Sequence, residues 1–149
     1  MDLKSLLVDS KTTWVDFPGL DGFEVELANL SRKELVNLRK KCTSNKFNRK
    51  TRAFEEILDD EKFVKEFAGA TVKNWKGLKL SYLEDLILVD LKGQDLNTEM
   101  EYTFDNALVL VENSSEFDNW LNEVVFDLDN FRSQKSEEDT KEVGSIPGQ

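Results

Sequence analysis

The sequence predicts a mainly α protein of the α+β class: a single helical domain with an N-terminal β-hairpin and a disordered C-terminal tail. Apolar side chains recur at helical spacing along residues 114–131, and residues 12–29 alternate as paired strands do. Residues 133–149 hold only two branched aliphatic residues, too few to order a segment. We therefore expect one domain at residues 1–132 and a flexible acidic and polar tail at 133–149.

The predicted hairpin at about residues 12–29 joins two β-rich segments, TTWVDFP and FEVELANL, through the glycines of GLDG. Glycines between alternating runs are typical of a tight connection. Phe23, Val25 and Leu27 share one face of the second strand, so we expect them in the core. The ten residues before the hairpin are predicted to form a short helix.

A basic helix is predicted to follow the hairpin. Residues 31–34 form a capping box, with Ser31 as the N-cap and Glu34 three positions later. Leu38 and Cys42 then recur on one helical face, so Cys42 is predicted to be a small buried residue. The next segment, TSNKFNRKT, is polar and is predicted to be a loop.

Two further helices are predicted in the middle of the chain. The first begins at Asp59 or Asp60, continues to Trp75 and is ended by Gly77. The second is a helix of two to three turns that opens with a second capping box at residues 81–84. An acidic loop, KGQDLNTEMEY, is predicted to follow it.

The last two predicted helices form a helical hairpin. Thr103 or Asp105 begins the helix FDNALVLVEN, and Ser114 or Ser115 caps the helix of residues 114–131. Seven residues share the apolar stripe of that helix: Phe117, Trp120, Leu121, Val124, Val125, Leu128 and Phe131. We expect the stripe to pack on the helix of residues 60–75. Phe126 lies off the stripe, which makes it a candidate partner-binding residue.

Charge is unevenly distributed along the chain. Thirty acidic against 20 basic residues give a net charge of -10, which opposes non-specific binding to nucleic acid or anionic membranes. Residues 31–54 carry +8, however, and residues 84–130 carry -12. The basic run with Phe47 and Phe54 could attract phosphates, but the acidic remainder favours pairing with itself or with a protein.

The sequence lacks the commonest catalytic base and metal ligand, histidine, and its abundant carboxylates are interpreted as solvated surface. It contains no histidine, no P-loop and no GxGxxG, and its one cysteine has no imidazole to activate it. We therefore expect neither catalysis nor a cofactor or metal site. No apolar run reaches the length of a membrane span or a signal peptide, so the cytosol is the expected compartment.

Trp14, Trp75 and Trp120 lie on predicted apolar faces, and one of them is expected to be partly exposed.

Three segments in order carry a resemblance to a known family. They are FVKEFAGATVKNWKGLKLSYLEDLILVDL, EMEYTFDNALVLVEN and SSEFDNWLNEVVFDLDNF. Together they resemble the tail assembly chaperones of bacteriophages with long non-contractile tails, over about residues 47–132. The resemblance depends on the order of a helix ending in Trp-Lys-Gly-Leu, an apolar segment, an acidic segment and two closing helices.

The resemblance implies a non-enzymatic role in the host cytoplasm. Members of this family bind and solubilise the tape measure protein and assist tail tube assembly. The implied partners are therefore the tape measure protein, the tail tube protein and a longer, frameshifted form of the chain itself. A chaperone of this kind needs exposed apolar strips framed by charge, and no residue-by-residue site follows from the family.

Two other functions remain open from the residues alone. One is a small acidic adaptor or inhibitor that mimics DNA through its acidic helices. The other, less favoured, is a nucleic-acid-binding module that uses the basic helix.

Overall fold

The computed structural model describes residues 1–8 and 11–132, and their architecture is α+β rather than mainly α. Helix takes 45% of these residues and strand 22%, so the prediction of a mainly α fold is wrong. The strands form a three-stranded antiparallel sheet and a separate two-stranded sheet. The predicted tail at 133–149 lies outside the described residues.

Helices and strands are interspersed along the chain. In chain order they are β1 (Thr12–Asp16), β2 (Glu24–Ala28), α1 (Arg32–Lys41), β3 (Thr43–Asn48), β4 (Ala53–Leu58), α2 (Asp60–Thr71), β5 (Val72–Lys76), α3 (Leu80–Leu86), α4 (Phe104–Asn113) and α5 (Ser115–Val125). A 3₁₀ turn at Leu3–Leu6 stands where the first short helix was predicted.

The predicted N-terminal hairpin is confirmed. β1 and β2 pair antiparallel, and Phe23, Val25 and Leu27 are fully buried under the helices. The capping box of α1 is also confirmed, since the Glu34 N–H donates to Ser31 Oγ at 3.1 Å and the Ser31 N–H donates to Glu34 Oε1 at 3.3 Å. Local sequence signals were sufficient at both places.

The helix predicted to reach Trp75 ends four residues earlier. α2 stops at Thr71, and the chain continues directly as β5, which pairs antiparallel with β2. Val72 and Trp75 are buried there, and the free edge of β2 supplies backbone partners that a continued helix would leave unused. Gly77 therefore ends a strand and not a helix.

The segment predicted as a loop after α1 is a β-hairpin. β3 and β4 pair over six residues each, and residues 49–52 connect them. Asn48 shapes the turn, because its Oδ1 accepts from the N–H groups of Lys50 at 2.9 Å and Thr51 at 3.4 Å. The loop prediction failed because this turn has neither glycine nor proline and its strands have no alternating apolar face.

The predicted capping box at residues 81–84 is wrong, although the helix exists. α3 begins at Leu80, and its N-cap residue, Lys79, makes no side-chain capping bond. The acidic loop caps the helix instead. The N–H of Leu80 donates to the Thr98 carbonyl at 2.8 Å, and the N–H of Ser81 donates to the Leu96 carbonyl at 3.1 Å.

α4 and α5 form the predicted helical hairpin, turning at Ser114, whose Oγ accepts from the Phe117 N–H. Their packing differs from the prediction in two respects. α4, and not α5, makes the main contact with α2, whereas α5 packs on α4 and α3. α5 also ends at Val125, and the chain is helical again at residues 128–132; the break between the two leaves Leu128 55% exposed.

Candidate partner-binding surface

The hairpin of β3 and β4, residues 43–58, extends from the body and is called the arm below. Its main contact with the rest of the described chain is with α1, at the base of β3. Every residue of β4 is exposed, and β3 has only half-buried ends. An antiparallel sheet normally buries one face on a core, and a two-stranded hairpin alone is marginally stable in water. The arm therefore has a face that the described residues, 1–8 and 11–132, do not cover.

Alternation along the strands defines two faces of the arm. The aromatic face carries three directly opposite pairs, Thr43 with Leu58, Asn45 with Glu56, and Phe47 with Phe54. The rings of Phe47 and Phe54 meet at 5.4 Å with an interplanar angle of 63°, yet the residues remain 49% and 74% exposed. Two exposed phenylalanines in contact form an apolar patch of the kind that marks an interaction site.

The other face of the arm is polar and its groups bond to one another. Lys46 lies opposite Glu55, and the amide of Asn48 donates to Glu55 Oε1 at 2.7 Å. This face presents Ala53 and Ile57 as its apolar side chains. The aromatic face is therefore the stronger candidate for a contact with a partner.

Positive charge adjoins the aromatic patch on the side of the tip, and Glu56 lies on its other side. Arg49, Lys50 and Arg52 occupy the tip of the arm, and all three are exposed. Three more cations lie in the last turn of α1, where they suit the negative end of the helix dipole. The rest of the chain is strongly acidic, so the arm and α1 form a basic pole on an acidic molecule.

The base of the arm is held to the body by backbone and charged groups. The Asp59 N–H donates to the Cys42 carbonyl at 2.8 Å, which closes the hairpin where it leaves the body. Lys62 Nζ donates to the Lys41 carbonyl at 3.1 Å, and Lys41 pairs with Glu66 at 3.2 Å. Cys42 itself is buried, as predicted. These bonds tie the ends of the arm to α2.

A second exposed apolar surface lies beside the N-terminus of α1. A groove of about 1040 Å³ separates the N-terminal 3₁₀ turn from α1 and from residues 128–132. Leu6, Leu7, Val8, Leu128 and Phe131 supply its apolar lining. Phe131 is buried at the bottom of the groove, and the other four are exposed.

Phe126, the residue singled out from the sequence, lies at the end of α5. It is the C-cap of α5 and is 40% exposed. Its ring lies 6.2 Å from that of Phe67, so part of it packs on α2. Phe126 stays a candidate for partner contact.

The three tryptophans have different environments. Trp75 is buried, and its indole N–H donates to the Met100 carbonyl at 2.8 Å. Trp120 is half-buried against Phe17, at 4.9 Å between ring centres. Trp14 is 37% exposed, with the ammonium of Lys76 4.7 Å from its ring centre. Trp14 is therefore the most exposed of the three.

Titratable groups with shifted pKa values lie outside the arm. Burial raises the pKa of Tyr102, whose hydroxyl donates to the Val72 carbonyl at 3.0 Å. Burial also raises the pKa of the Asp118 carboxyl, and a hydrogen bond from Asn122 partly offsets this. Within residues 1–8 and 11–132, no group of three or more Cys, Asp or Glu side chains is arranged to hold a metal ion.

Sequence reasoning placed Phe47 and Phe54 in the basic run but did not bring them together. One signal in the sequence could have paired them. Phe47 and Phe54 lie at equal distances from the four turn residues 49–52, and an asparagine stands directly before that turn.

Comparison of the chain with family models, curated proteins and solved structures gave no match. None of the described helices is long and apolar enough to cross a membrane.

Proposed function

We propose that this chain is a non-catalytic chaperone that binds and solubilises a phage tape measure protein and assists tail tube assembly in the host cytoplasm. The observation that carries the proposal is the arm, a sheet with an exposed aromatic face and no core of its own. The family resemblance of residues 47–132 supplies the identity of the client. The tail tube protein and a longer form of this chain are further proposed partners.

An arm of this kind suits a protein that holds apolar segments of another chain. Full burial of a phenylalanine side chain is worth about 1.5–3 kcal/mol, and Phe47 and Phe54 still have 49% and 74% of their surface exposed, so covering both can anchor a client. The groove beside Leu128 and the half-exposed Phe126 add apolar contacts on the body. Several separate apolar surfaces can engage a long client at more than one point.

The charge distribution supports the same role. A net charge of -10 keeps a complex dissolved when the client contributes apolar surface. An acidic client is attracted only by the basic pole, that is, by the arm and α1. The remaining acidic surface repels such a client. The client is thereby directed to the aromatic face.

Co-expression with the tape measure protein from the same phage tests the proposal. Thr43 and Leu58 are directly paired, so residues 44–57 can be replaced by Asn-Gly, a two-residue hairpin turn. We expect wild-type protein to keep the client soluble and to elute with it in gel filtration, and the arm-deleted variant to do neither. A client that is equally soluble with and without the wild-type protein, and forms no complex with it, would refute the function.

A second candidate function is binding of single-stranded nucleic acid by the arm. It is favoured by one observation, the three tip cations beside two exposed phenylalanines, which could hold phosphates and stack bases. Micromolar binding of RNA or single-stranded DNA that weakens steeply with salt and is lost on arm deletion would support it. We expect no such binding at physiological salt, because the remainder of the chain repels polyanions.

A further inference from the structure

We propose that the aromatic face of the arm binds one amphipathic helix with acidic flanks. This inference rests on the proposed function, since it names the kind of client segment that the arm takes. Its basis is the combination of an uncovered two-stranded face, a pair of phenylalanines at the distal end of that face and three cations at the adjoining tip.

The dimensions of the face match a single helix. Two strands about 4.8 Å apart, with their side chains, make a surface about 10 Å wide, which is the diameter of one α-helix. Six paired residues in each strand extend for about 20 Å, the length of about 13 helical residues. A helix packed on a hairpin also supplies the third element that a two-stranded sheet needs for stability.

The apolar contacts require an apolar stripe on the partner. Phe47 and Phe54 stand side by side at the distal end of the face, and Leu58 lies on the same face at its base. A helix with leucines at three- and four-residue spacing can place side chains along this line. Asn45 and Glu56 lie between the two apolar ends and are both exposed in the free protein, so the bound helix places a polar residue, and not a glutamate, over them.

The charges determine the sign of the flanks and the direction of the helix. Arg49, Lys50 and Arg52 lie next to the phenylalanine pair, so acidic residues beside the apolar stripe gain attraction and basic ones are repelled. The tip cations also favour the negative end of a helix dipole. The C-terminus of the bound helix therefore lies at the tip of the arm.

Peptide binding tests the inference directly. The probe is a fluorescent peptide of about 14 residues with leucines at helical spacing and glutamates on both flanks. Two comparison peptides share its length: one has lysine in place of each glutamate, and one rearranges the same residues into strand alternation. We expect the acidic helical peptide to bind the protein at least about tenfold more tightly than either, with affinity falling as salt rises.

Matched variants locate the site. Phe47→Ser with Phe54→Ser should weaken the acidic peptide at least about tenfold, whereas Leu88→Ser, another exposed apolar residue, should leave it unchanged. Arg49→Glu with Lys50→Glu should reverse the preference toward the lysine peptide. Lys92→Glu, an exposed cation away from the arm, is the control for charge. A circular dichroism spectrum of each variant confirms that it is folded.

Several outcomes would overturn the inference. Equal binding of the acidic and lysine peptides would show that the tip cations do not select acidic flanks. Tighter binding of the strand-patterned peptide would indicate strand addition at the edge of the arm. Unchanged binding to the double phenylalanine variant would place the helix elsewhere. Displacement of the peptide by a single-stranded RNA of lower dissociation constant would favour a nucleic-acid ligand.

Failure of the inference is separable from failure of the proposed function. If wild type and the double phenylalanine variant keep the tape measure protein equally soluble, the client binds another surface and only the inference is wrong. If wild type does not keep the client soluble, the proposed function is refuted regardless of the peptide result.

Discussion

Gly77 has a left-handed backbone conformation that costs free energy for every other residue type. Its φ is +74°, and a Cβ placed there would lie 1.9 Å from the carbonyl oxygen of Gly22. The chain therefore passes close to the β1–β2 connection at the point where β5 ends. Both the left-handed conformation and the close approach require glycine.

Gly77→Ala is expected to destabilise the protein strongly. The left-handed conformation alone costs about 1–2 kcal/mol, and the clash with the Gly22 backbone adds to it. Urea unfolding followed by circular dichroism measures the loss. Gly93→Ala is the matched control, because Gly93 has φ of +82° but nothing within 4 Å of an added Cβ. Equal losses for the two variants would contradict the close approach.

Phe126→Ser separates client contact from core packing at a single residue. The side chain is 40% exposed, so we expect a small fall in melting temperature and a clear fall in client solubility on co-expression. Phe117→Ser, at a fully buried position, shows the size of a true core loss. A fall in melting temperature as large as that of Phe117→Ser would place Phe126 in the core.

At the scale of elements, the two sheets differ in what covers them. β1, β2 and β5 share a core with the helices, and Val25 and Val72 of the inner face are fully buried. β3 and β4 have the same backbone pairing but lack that burial. Their stability therefore comes from cross-strand pairs and from the turn.

The arm is expected to open locally without unfolding of the body. Backbone amides of β3 and β4 should exchange with deuterium much faster than those of β2, since few buried contacts oppose opening. Arg52→Gly should slow exchange in the arm, because Arg52 has φ of +55°, a left-handed conformation that costs a non-glycine residue about 1 kcal/mol. Exchange in β3 as slow as in β2, in the free protein, would indicate that another surface covers the arm.

At the scale of the whole molecule, one core joins the N-terminal sheet to the helices. The Val125 carbonyl at the end of α5 accepts bonds from the Leu30 N–H at 3.1 Å and from the Asn29 amide at 2.8 Å. The turn residue Phe17 stacks on Phe117 at 6.0 Å. Sheet and helices should therefore unfold together, while the arm lies outside this unit.

Replacement of residues 44–57 by Asn-Gly is expected to leave the melting temperature within a few degrees of wild type, about the effect of 1 kcal/mol. The arm contributes no buried side chain to the core, and Cys42 and Asp59 still close its base. Tryptophan fluorescence and far-ultraviolet circular dichroism should report the same transition in both proteins. A loss of more than about 10 °C would mean that the arm is part of the cooperative unit.

Local signals in the sequence determined the elements that depend on neighbouring residues. The alternation of Phe23, Val25 and Leu27, the capping box at Ser31 and the capping serine at position 114 need only short-range bonds and a buried face. The basic run and the acidic remainder are likewise properties of the chain itself.

Only the tertiary structure decided which competing pairings form. β5 replaces the end of a helix because β2 offers a free edge, and the loop at Thr98 caps α3 in place of the Ser81 side chain. Both pairings depend on residues distant in sequence, and the spacing of apolar residues within one segment carries no information about them. The arm was missed for a different physical reason: strand patterns are detected by the face they bury, and β3 and β4 bury none against the part of the chain that the structure describes.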